Sequence, residues 1–228
     1  MSTPPHPRTV LVTGAARRLG RMFSLAFARA GWDVACHYQH SRDEAMQTCA
    51  EIEALGRRAW AIAGNLADAA AQERIFADTV QAMGQPPNAI VNNASLFEPD
   101  QGLDFSPELL QRQMQVNLVA PLQLATLLAR ARPQAHADQG VPAVIHVLDQ
   151  KVFNLNPDYF SYTLSKLALE RAVALQAQAL APLVRVSAIA PGLVYVSGPQ
   201  TGDNFRRASQ VNLLRSPTDP EDVARTAV

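Results

Sequence analysis

The sequence predicts an α/β fold with a single doubly wound parallel sheet, covered by helices on both faces. Three observations lead to this prediction. Short β-branched runs alternate with helix-periodic segments along the chain. A glycine-bearing turn, GAARRLG, joins the first apolar run to the first helical segment. Neither an internal repeat nor a linker interrupts the alternation. Strands separated by helical segments form parallel sheets, because each crossover returns the chain to the same edge.

The first strand, helix and strand form a recognisable unit. Residues 8–13 (RTVLVT) are a short β-branched run, and the segment after GAARRLG carries apolar residues at helical spacing up to Gly31, a good helix stop. Residues 33–38 (DVACHY) are the second predicted strand. This order is typical of the opening of a dinucleotide-binding, Rossmann-type domain.

The rest of the chain continues the alternation. Further strands are predicted over residues 58–63, 88–92, 141–148 and 184–189. Helices are predicted over residues 41–55, with Ser41 as the cap, and over 69–83, 106–132 and 159–181. Pro121 should kink or break the third of these, since proline removes a helical hydrogen bond.

Proline and polar residues cluster between residues 197 and 220, which predicts a mobile loop with a short helical piece over the crevice. We place this substrate loop at about residues 195–218 of one dinucleotide-binding domain covering residues 1–228.

Composition narrows the function classes. The 20 basic and 20 acidic residues balance, so no global field attracts nucleic acid or an acidic membrane, and any anion site must be local. Two cysteines are too few for a disulfide framework, and no Cys/His cluster indicates a metal. The start, MSTPPHPRT, lacks the apolar centre of a signal peptide, and no apolar run approaches the roughly 20 residues of a membrane span. We expect a soluble cytoplasmic protein.

The glycine turn predicts an anion site. Gly14 and Gly20 allow the backbone to approach a pyrophosphate, which the following helix N-terminus attracts. The alternative is an ordinary tight turn, because glycine pairs are common in turns.

The end of the second strand favours NADPH over NADH. An NAD site places a carboxylate here, whereas residues 37–42 of this chain include no acid and the first acid after the strand is Asp43. Arg17 and Arg18 lie in the neighbouring turn, so guanidinium and hydroxyl donors should converge where a 2′-phosphate would bind. The alternative is that both arginines are solvated residues at a helix start.

The segment YTLSK carries a candidate acid–base pair. Tyr162 and Lys166 are four residues apart, so a helix would place them on one face. A nearby ammonium group lowers the pKa of a phenol and makes it a usable proton donor near neutrality. Asp149 ends the strand AVIHVLD thirteen residues before Tyr162, where strand ends face the crevice. The alternative is that both helix residues serve solubility.

Five motifs in one order carry a resemblance to a known family. TGAARRLG, NNAS, the Asn117 of NLVAP, YTLSK and APGL resemble, in that order, the motifs of the short-chain dehydrogenase/reductases. Within that family the chain most resembles the pteridine reductases and the bacterial dihydromonapterin/dihydrofolate reductases. TGAARRLG is similar to their TGxxxRxG, HYQHS to their cofactor-phosphate loop and NNASLF to their NNAS-x-F. Asp149 stands where most of the superfamily carries a catalytic serine.

Two departures accompany the resemblance. Gln39 and His40 replace a more basic pair, and the family pattern continues past DPEDVARTAV to a last strand that this sequence does not include.

The resemblance implies roles for individual residues. The implied catalytic residues are Asp149, Tyr162, Lys166 and Asn117, the last supporting the lysine through a water. The predicted cofactor-binding residues are Gly14, Arg17, Arg18, Leu19, Gly20, His37, Tyr38, Gln39, His40, Ser41, Asn65, Leu66, Asn93, Ala94, Ser95, Tyr162, Lys166, Pro191 and Gly192. The predicted substrate-binding residues are Arg18, Ser95, Phe97, Asp149, Tyr162 and Leu193. NADPH is the implied cofactor, and a homo-oligomer, tetramer or dimer, is the implied assembly.

Asp149 decides between substrate classes. Ketone reduction builds negative charge on oxygen, which a carboxylate would repel, whereas reduction of a ring C=N bond needs a proton on nitrogen. A carboxyl group bonded to Tyr162 could relay that proton, and Phe97 could stack on a bicyclic ring. Alternatively, Phe97 belongs to the core and Asp149 caps the strand end. His146, inside a strand, is expected to be a buried histidine rather than a ligand.

The sequence therefore predicts an NADPH-dependent reductase of a pterin C=N bond. Two alternatives remain open at this point. One is a short-chain reductase of a ketone or aldehyde, and the other is a catalytically idle NADPH-binding sensor.

Overall fold

Six parallel strands form the sheet of the computed structural model, which describes residues 7–132, 140–197 and 200–228. The strands are β1 (Thr9–Val12), β2 (Asp33–Tyr38), β3 (Ala59–Ala63), β4 (Ala89–Asn92), β5 (Ala143–Val147) and β6 (Arg185–Ile189). Their order in the sheet is β3-β2-β1-β4-β5-β6, and every neighbouring pair is parallel. The predicted doubly wound α/β fold is confirmed.

The helices connect the strands or come after the last strand, and they follow the sequence pattern closely. They are α1 (Arg18–Arg29), α2 (Arg42–Ala54), α3 (Ala69–Met83), α4 (Pro107–Met114), α5 (Ala120–Ala131), α6 (Phe160–Leu180), α7 (Gly202–Ser209) and α8 (Pro220–Thr226). Helix α3 shows why its ends were predictable: the Asp68 carboxylate accepts a bond from the N–H of Ala70, and Gly84 ends the helix at φ 74°.

Pro121 widens a helix instead of breaking it. Residues Gln115–Val119 form a π-helical turn between α4 and α5, so the chain stays helical from residue 107 to 131. Proline has no N–H to offer the carbonyl four residues earlier, here that of Asn117, and the π turn accommodates this loss. The predicted kink or break at Pro121 is therefore a π turn, and it contains Asn117.

The core lies on both faces of the sheet. Val10 and Val12 of β1 pack on the face covered by α1, α2 and α8, whereas Leu11 packs on the face covered by α3 and α5. Because both faces are covered, β1 and β4 are completely buried and lack polar alternation.

The sheet topology places the crevice. Strand β1 pairs with β2 on one side and with β4 on the other, so the crossovers run in opposite directions from this point. Ligands of such sheets bind beyond the carboxyl ends of the strands at this switch.

The predicted substrate loop contains helix α7, in agreement with the expected short helical piece. Gly198 and Pro199 of that loop, and the first six residues, lie outside the described residues. The mobility of the loop stays a prediction. Within the described part of the chain, no helix is both long and apolar enough to span a bilayer.

Candidate active site

A cleft of about 500 Å³ opens at the carboxyl ends of β1, β2 and β4, where the topology places it. Most of the predicted cofactor residues line this cleft. They are Gly14, Arg17, Arg18, Leu19, Gly20, His37, Tyr38, Gln39, His40, Ser41, Leu66, Asn93, Ala94 and Ser95. Ala16, Leu96 and Val116 also line it and were not predicted, because small apolar residues carry no chemical signal of their own.

The glycine turn forms a cradle that side chains would fill. Gly14 has φ 65°, and a Cβ on Gly20 would lie 2.0 Å from the Gly14 carbonyl oxygen. Thr13, whose role was not predicted, holds the turn against the NNAS motif: its hydroxyl accepts bonds from the N–H groups of Asn93 at 2.9 Å and Ala94 at 3.0 Å. The Asn93 carboxamide donates to the Thr13 carbonyl at 2.9 Å. This cradle fits the close approach of a pyrophosphate.

His37 shapes the turn as a neutral ring. Its Nδ1 accepts a bond from the Gly14 N–H at 3.2 Å, and its Nε2 lies 3.1 Å from the Gly64 carbonyl. Burial lowers the pKa of His37 to about 4, so the ring carries no charge toward a phosphate at neutral pH.

The two arginines of the turn point to different ends of the cleft. The Arg17 Nε donates to the Ser41 hydroxyl at 3.0 Å and lies 3.3 Å from Glu44, beside the loop that follows β2. Arg18, which has φ 51°, donates instead to the Val196 carbonyl at 3.0 Å. The predicted convergence of both guanidinium groups is therefore not seen in this structure, where only Arg17 lies beside the loop after β2. The Arg18 side chain reaches a loop 178 residues away in sequence, which no local pattern indicates.

Asp149, Tyr162 and Lys166 come together beyond the ends of β5 and β6. The Tyr162 hydroxyl donates to Asp149 Oδ2 at 2.8 Å, and Asp149 Oδ1 accepts from the Lys151 N–H at 2.9 Å. The Lys166 Nζ donates to the Val147 carbonyl at 2.7 Å and lies 5.8 Å from the centre of the Tyr162 ring. The carboxylate that was predicted from its position at a strand end and from the family resemblance therefore contacts the phenol directly.

The pKa of Tyr162 is raised, which corrects the expectation that Lys166 lowers it. Burial is the largest cause, followed by the negative charge of Asp149 and the hydrogen bond to it. Burial lowers the pKa of Lys166 to about 8, and Asp149 opposes that change. The phenol therefore keeps its proton at neutral pH.

Asn117 ties the NNAS loop to α6. Its Oδ1 accepts from the Leu96 N–H at 2.8 Å and from the Ser95 hydroxyl at 3.2 Å. Its Nδ2 donates to the Ser165 hydroxyl at 2.9 Å, next to Lys166. The predicted water-mediated support of Lys166 stays a prediction.

Phe97 contacts two tyrosines and directly follows Leu96, a residue of the cleft lining. Its ring stacks on Tyr159 with 4.0 Å between centroids and 9° between planes, and meets Tyr162 edge-on at 4.6 Å. The side chain is only partly buried, so Phe97 does not belong to the buried core.

A family model of the short chain dehydrogenases matches residues 8–204 of this chain. The chain belongs to the short-chain dehydrogenase/reductase family. It is therefore an oxidoreductase.

This short-chain dehydrogenase is similar to three known proteins of different activities. The structure of FolM alternative dihydrofolate reductase 1 from Brucella canis, complexed with NADP, superposes with a TM-score of 0.90 at 35% identity, over 97% of this chain and 86% of that one. Dihydromonapterin reductase of Enterobacter sp. strain 638 is 29% identical over 91% of this chain and 83% of its own length. L-rhamnose 1-dehydrogenase (NAD(P)(+)) of Sphingomonas sp. strain SKA58 is 39% identical over 49% of this chain, which spans only 43% of that relative.

Other predicted residues of the dehydrogenase lie at the edges of the site. The Pro191 carbonyl accepts from the N–H of Gln150, so the end of β6 touches the segment after Asp149. The Leu193 carbonyl accepts from the N–H of Thr218, and a Cβ on Gly192 would lie 2.7 Å from the hydroxyl of the same threonine. The Asn65 carboxamide oxygen accepts from the Ala67 N–H at 2.9 Å, which makes it a local turn former.

His146 is buried and bonded, as predicted. Its Nδ1 lies 3.2 Å from Asn92 Nδ2, and its Nε2 lies 2.9 Å from Gln176 Oε1. Burial lowers the pKa of His146 to about 4, so it is a neutral structural histidine at pH 7.

Proposed function

We propose that this dehydrogenase uses NADPH to reduce a C=N bond of a pterin, taking a dihydropterin or dihydrofolate to the tetrahydro form. The hydrogen bond from Tyr162 to Asp149 Oδ2 carries the proposal. It pairs a protonated phenol with a carboxylate at the position where the protein would meet its substrate.

The direction of proton transfer favours reduction. A dehydrogenase that oxidises an alcohol needs an ionised base, whereas a reductase needs an acid that holds its proton at neutral pH. Burial and Asp149 both raise the pKa of Tyr162, which favours the protonated phenol. Tyr162 would donate its proton to the ring nitrogen, and Asp149 would replace that proton from solvent.

The charge of Asp149 selects the reacting bond. During ketone reduction, negative charge grows on the oxygen nearest the proton donor, and a carboxylate in contact with that donor raises the barrier. A ring nitrogen of a dihydropterin is more basic than a carbonyl oxygen, so it can take up its proton before or while hydride adds to carbon, and less negative charge then grows beside Asp149. The Asp149 carboxylate can also accept bonds from an aminopyrimidine edge.

The Phe97 ring is suited to stacking against a flat heteroaromatic substrate. Tyr159 covers one face of its ring, so a bicyclic substrate would stack on the opposite face. Tyr162 meets Phe97 edge-on at 4.6 Å, so the proton donor would lie beside a substrate stacked on Phe97.

The residues of the cleft fit NADPH. When bound, this cofactor supplies the hydride. The Gly14–Gly20 cradle would hold its pyrophosphate, and Arg17 with Ser41 would hold its 2′-phosphate, since guanidinium and hydroxyl donors suit a phosphate. The similarity to the Brucella canis protein crystallised with NADP supports the same cofactor, and the dihydromonapterin reductase similarity supports the substrate class.

Reduction of a ketone or aldehyde is the second candidate. The Ser95 hydroxyl is close enough to the Tyr162 phenol to favour a lower pKa, so a neutral hydroxyl lies near the proton donor although Asp149 replaces the family's usual serine. A cytoplasmic location and assembly into a dimer or tetramer remain predictions.

A substrate panel tests the proposal. NADPH oxidation would be measured with dihydromonapterin, dihydrobiopterin, dihydrofolate and simple ketones, with NADH as the cofactor control and Tyr162→Phe as the catalytic control. We expect turnover of at least one dihydropterin that NADH supports poorly and Tyr162→Phe abolishes. Turnover of ketones without any dihydropterin would favour the second candidate, and tight NADPH binding without turnover would favour the idle sensor.

A further inference from the structure

A buried carboxylate outside the proposed catalytic set contacts the start of the helix that carries Tyr162. Asp100 is 9% exposed and lies in the loop after β4, three residues beyond Phe97. Asp100 Oδ1 accepts from the Ser161 N–H at 3.0 Å, and Oδ2 accepts from the Ser161 hydroxyl. The Asp100 carbonyl also accepts from the Phe160 N–H at 3.2 Å.

These bonds replace a cap that the helix lacks. Tyr159, at the N-cap position of α6, has φ 57° and makes no capping bond with its side chain. The first N–H groups of a helix have no partner within the helix, and a carboxylate is a favourable partner because it also complements the helix dipole. Asp100 therefore caps α6 from a distant part of the chain.

The same loop is held at its other end by Asn117. The Leu96 N–H donates to Asn117 Oδ1 at 2.8 Å, and Asn117 Nδ2 donates to the Leu96 carbonyl at 2.9 Å. Phe97 lies between this attachment and Asp100. The position of its ring relative to Tyr162 therefore depends on both ends of the segment.

We propose that Asp100 is a positioning residue, which sets the stacking ring of Phe97 against the hydroxyl of Tyr162. Ser161 directly precedes Tyr162, so the carboxylate that holds Ser161 holds the first turn of α6 and the phenol with it. The proposal rests on the proposed function in assigning the substrate to Phe97 and the proton to Tyr162.

Two substitutions at Asp100 separate positioning from general stability. Asp100→Ala removes both side-chain bonds, whereas Asp100→Asn keeps one acceptor oxygen for the Ser161 N–H. Small displacements of reacting groups are costly in rate, so we expect kcat to fall on the order of tenfold to a hundredfold in Asp100→Ala. Asp100→Asn should recover much of that loss, and the Kd for NADPH should stay near wild type in both.

Asp68→Ala is a matched control, because it removes a carboxylate cap from a different helix, α3. The Asp68 carboxylate caps α3 through the Ala70 N–H at 2.9 Å, away from Phe97 and Tyr162. Asp68→Ala should lower the melting temperature and leave kcat of the folded protein unchanged. If Asp100→Ala behaves in the same way, with lower stability and unchanged kcat and KM, Asp100 only stabilises the fold and the proposal is wrong.

The test does not depend on the identity of the substrate. Kinetics would use whichever compound of the panel the wild type reduces, so absence of pterin turnover would contradict the proposed function alone. Amide hydrogen exchange of the first turn of α6 gives a second measurement without substrate. We expect faster exchange there in Asp100→Ala and Ser161→Ala, but not in Asp68→Ala. Unchanged exchange in the first turn would overturn the proposal even if Asp100→Ala folds poorly.

Discussion

Asp149→Asn tests the proposed proton transfer most directly. The amide keeps an acceptor oxygen for the Lys151 N–H, now 2.9 Å from Asp149 Oδ1, so the local backbone should keep its shape. The amide carries no negative charge at the position of Asp149 Oδ2, which accepts from the Tyr162 hydroxyl at 2.8 Å. It also cannot pass a proton on to the phenol. General acid catalysis contributes on the order of 10²–10⁴-fold, so dihydropterin reduction at saturating substrate should fall within that range.

The pH profile of the variant gives a second signature. Burial lowers the pKa of Lys166 to about 8 and Asp149 raises it, so removal of the carboxylate should lower this pKa further. If the ammonium form of Lys166 is needed, activity should decline on the alkaline side at a lower pH in Asp149→Asn than in wild type. The shift follows from the sign of the Asp149 charge and does not depend on the size of the rate loss.

Two controls complete the experiment. Asp158→Asn removes another carboxylate of the same segment, 3.8 Å from the Lys151 ammonium, and should leave both the rate and the pH profile near wild type. NADPH binding, followed by fluorescence, should be nearly unchanged in both variants. If Asp149→Asn reduces dihydropterins as fast as wild type over the whole pH range, Asp149 takes no part in proton transfer and at most orients the substrate.

Three further predictions follow from the site. Arg17→Ala should weaken NADPH binding on the order of tenfold and leave NADH binding unchanged, because the Arg17 guanidinium lies beside Ser41. In fluorescence titrations, the control variant Arg18→Ala should leave the ratio of the NADPH and NADH affinities unchanged. Equal losses of NADPH and NADH affinity in Arg17→Ala would contradict the assignment of Arg17 to the 2′-phosphate. Phe97→Ala should raise KM for a dihydropterin without changing NADPH affinity; a stability loss of about 3–5 kcal/mol in urea would instead mark a core residue. Burial lowers the pKa of His146 from 6.5 to about 4, so the unfolded chain binds the extra proton and stability falls as pH drops through that interval. Urea unfolding should show that His146→Asn removes about 3 kcal/mol of this acid dependence, and an unchanged slope would contradict it.

The fold was predictable because its signals are local. Each signal lies inside or next to the element that it specifies: β-branched residues form the strands, Asp68 caps helix α3 and Gly84 ends it. Helix α3 has the predicted bounds. Pro121 was recognised as a perturbation, but its outcome depends on packing. The helix continues through a π turn because α4 packs against α6 and α5 packs against α3.

The chemistry of the site was only partly predictable. The strand-end position of Asp149 and the family resemblance predicted that it lies near Tyr162, and a hydrogen bond joins the two side chains in the structure. The sign of the pKa change at Tyr162 could not be predicted from the spacing to Lys166, because burial and the Asp149 charge depend on the folded chain. The contact of Asp100 with the start of α6 could not be predicted from nearby residues, since its partner Ser161 lies 61 residues away in sequence.

The carboxylate at Asp149 explains how the site balances the buried charge of Lys166. A buried ammonium needs a negative partner, and where a serine occupies this position the phenolate of the tyrosine is the group available to supply it. Here Asp149 supplies the negative charge, so Tyr162 can remain a neutral phenol beside a protonated lysine. Asp149→Ser should therefore shift ionisation onto Tyr162, with a lower pKa for the phenol. That variant should lose reduction of C=N bonds and retain or gain reduction of ketones, for which a neutral donor at this position is favourable.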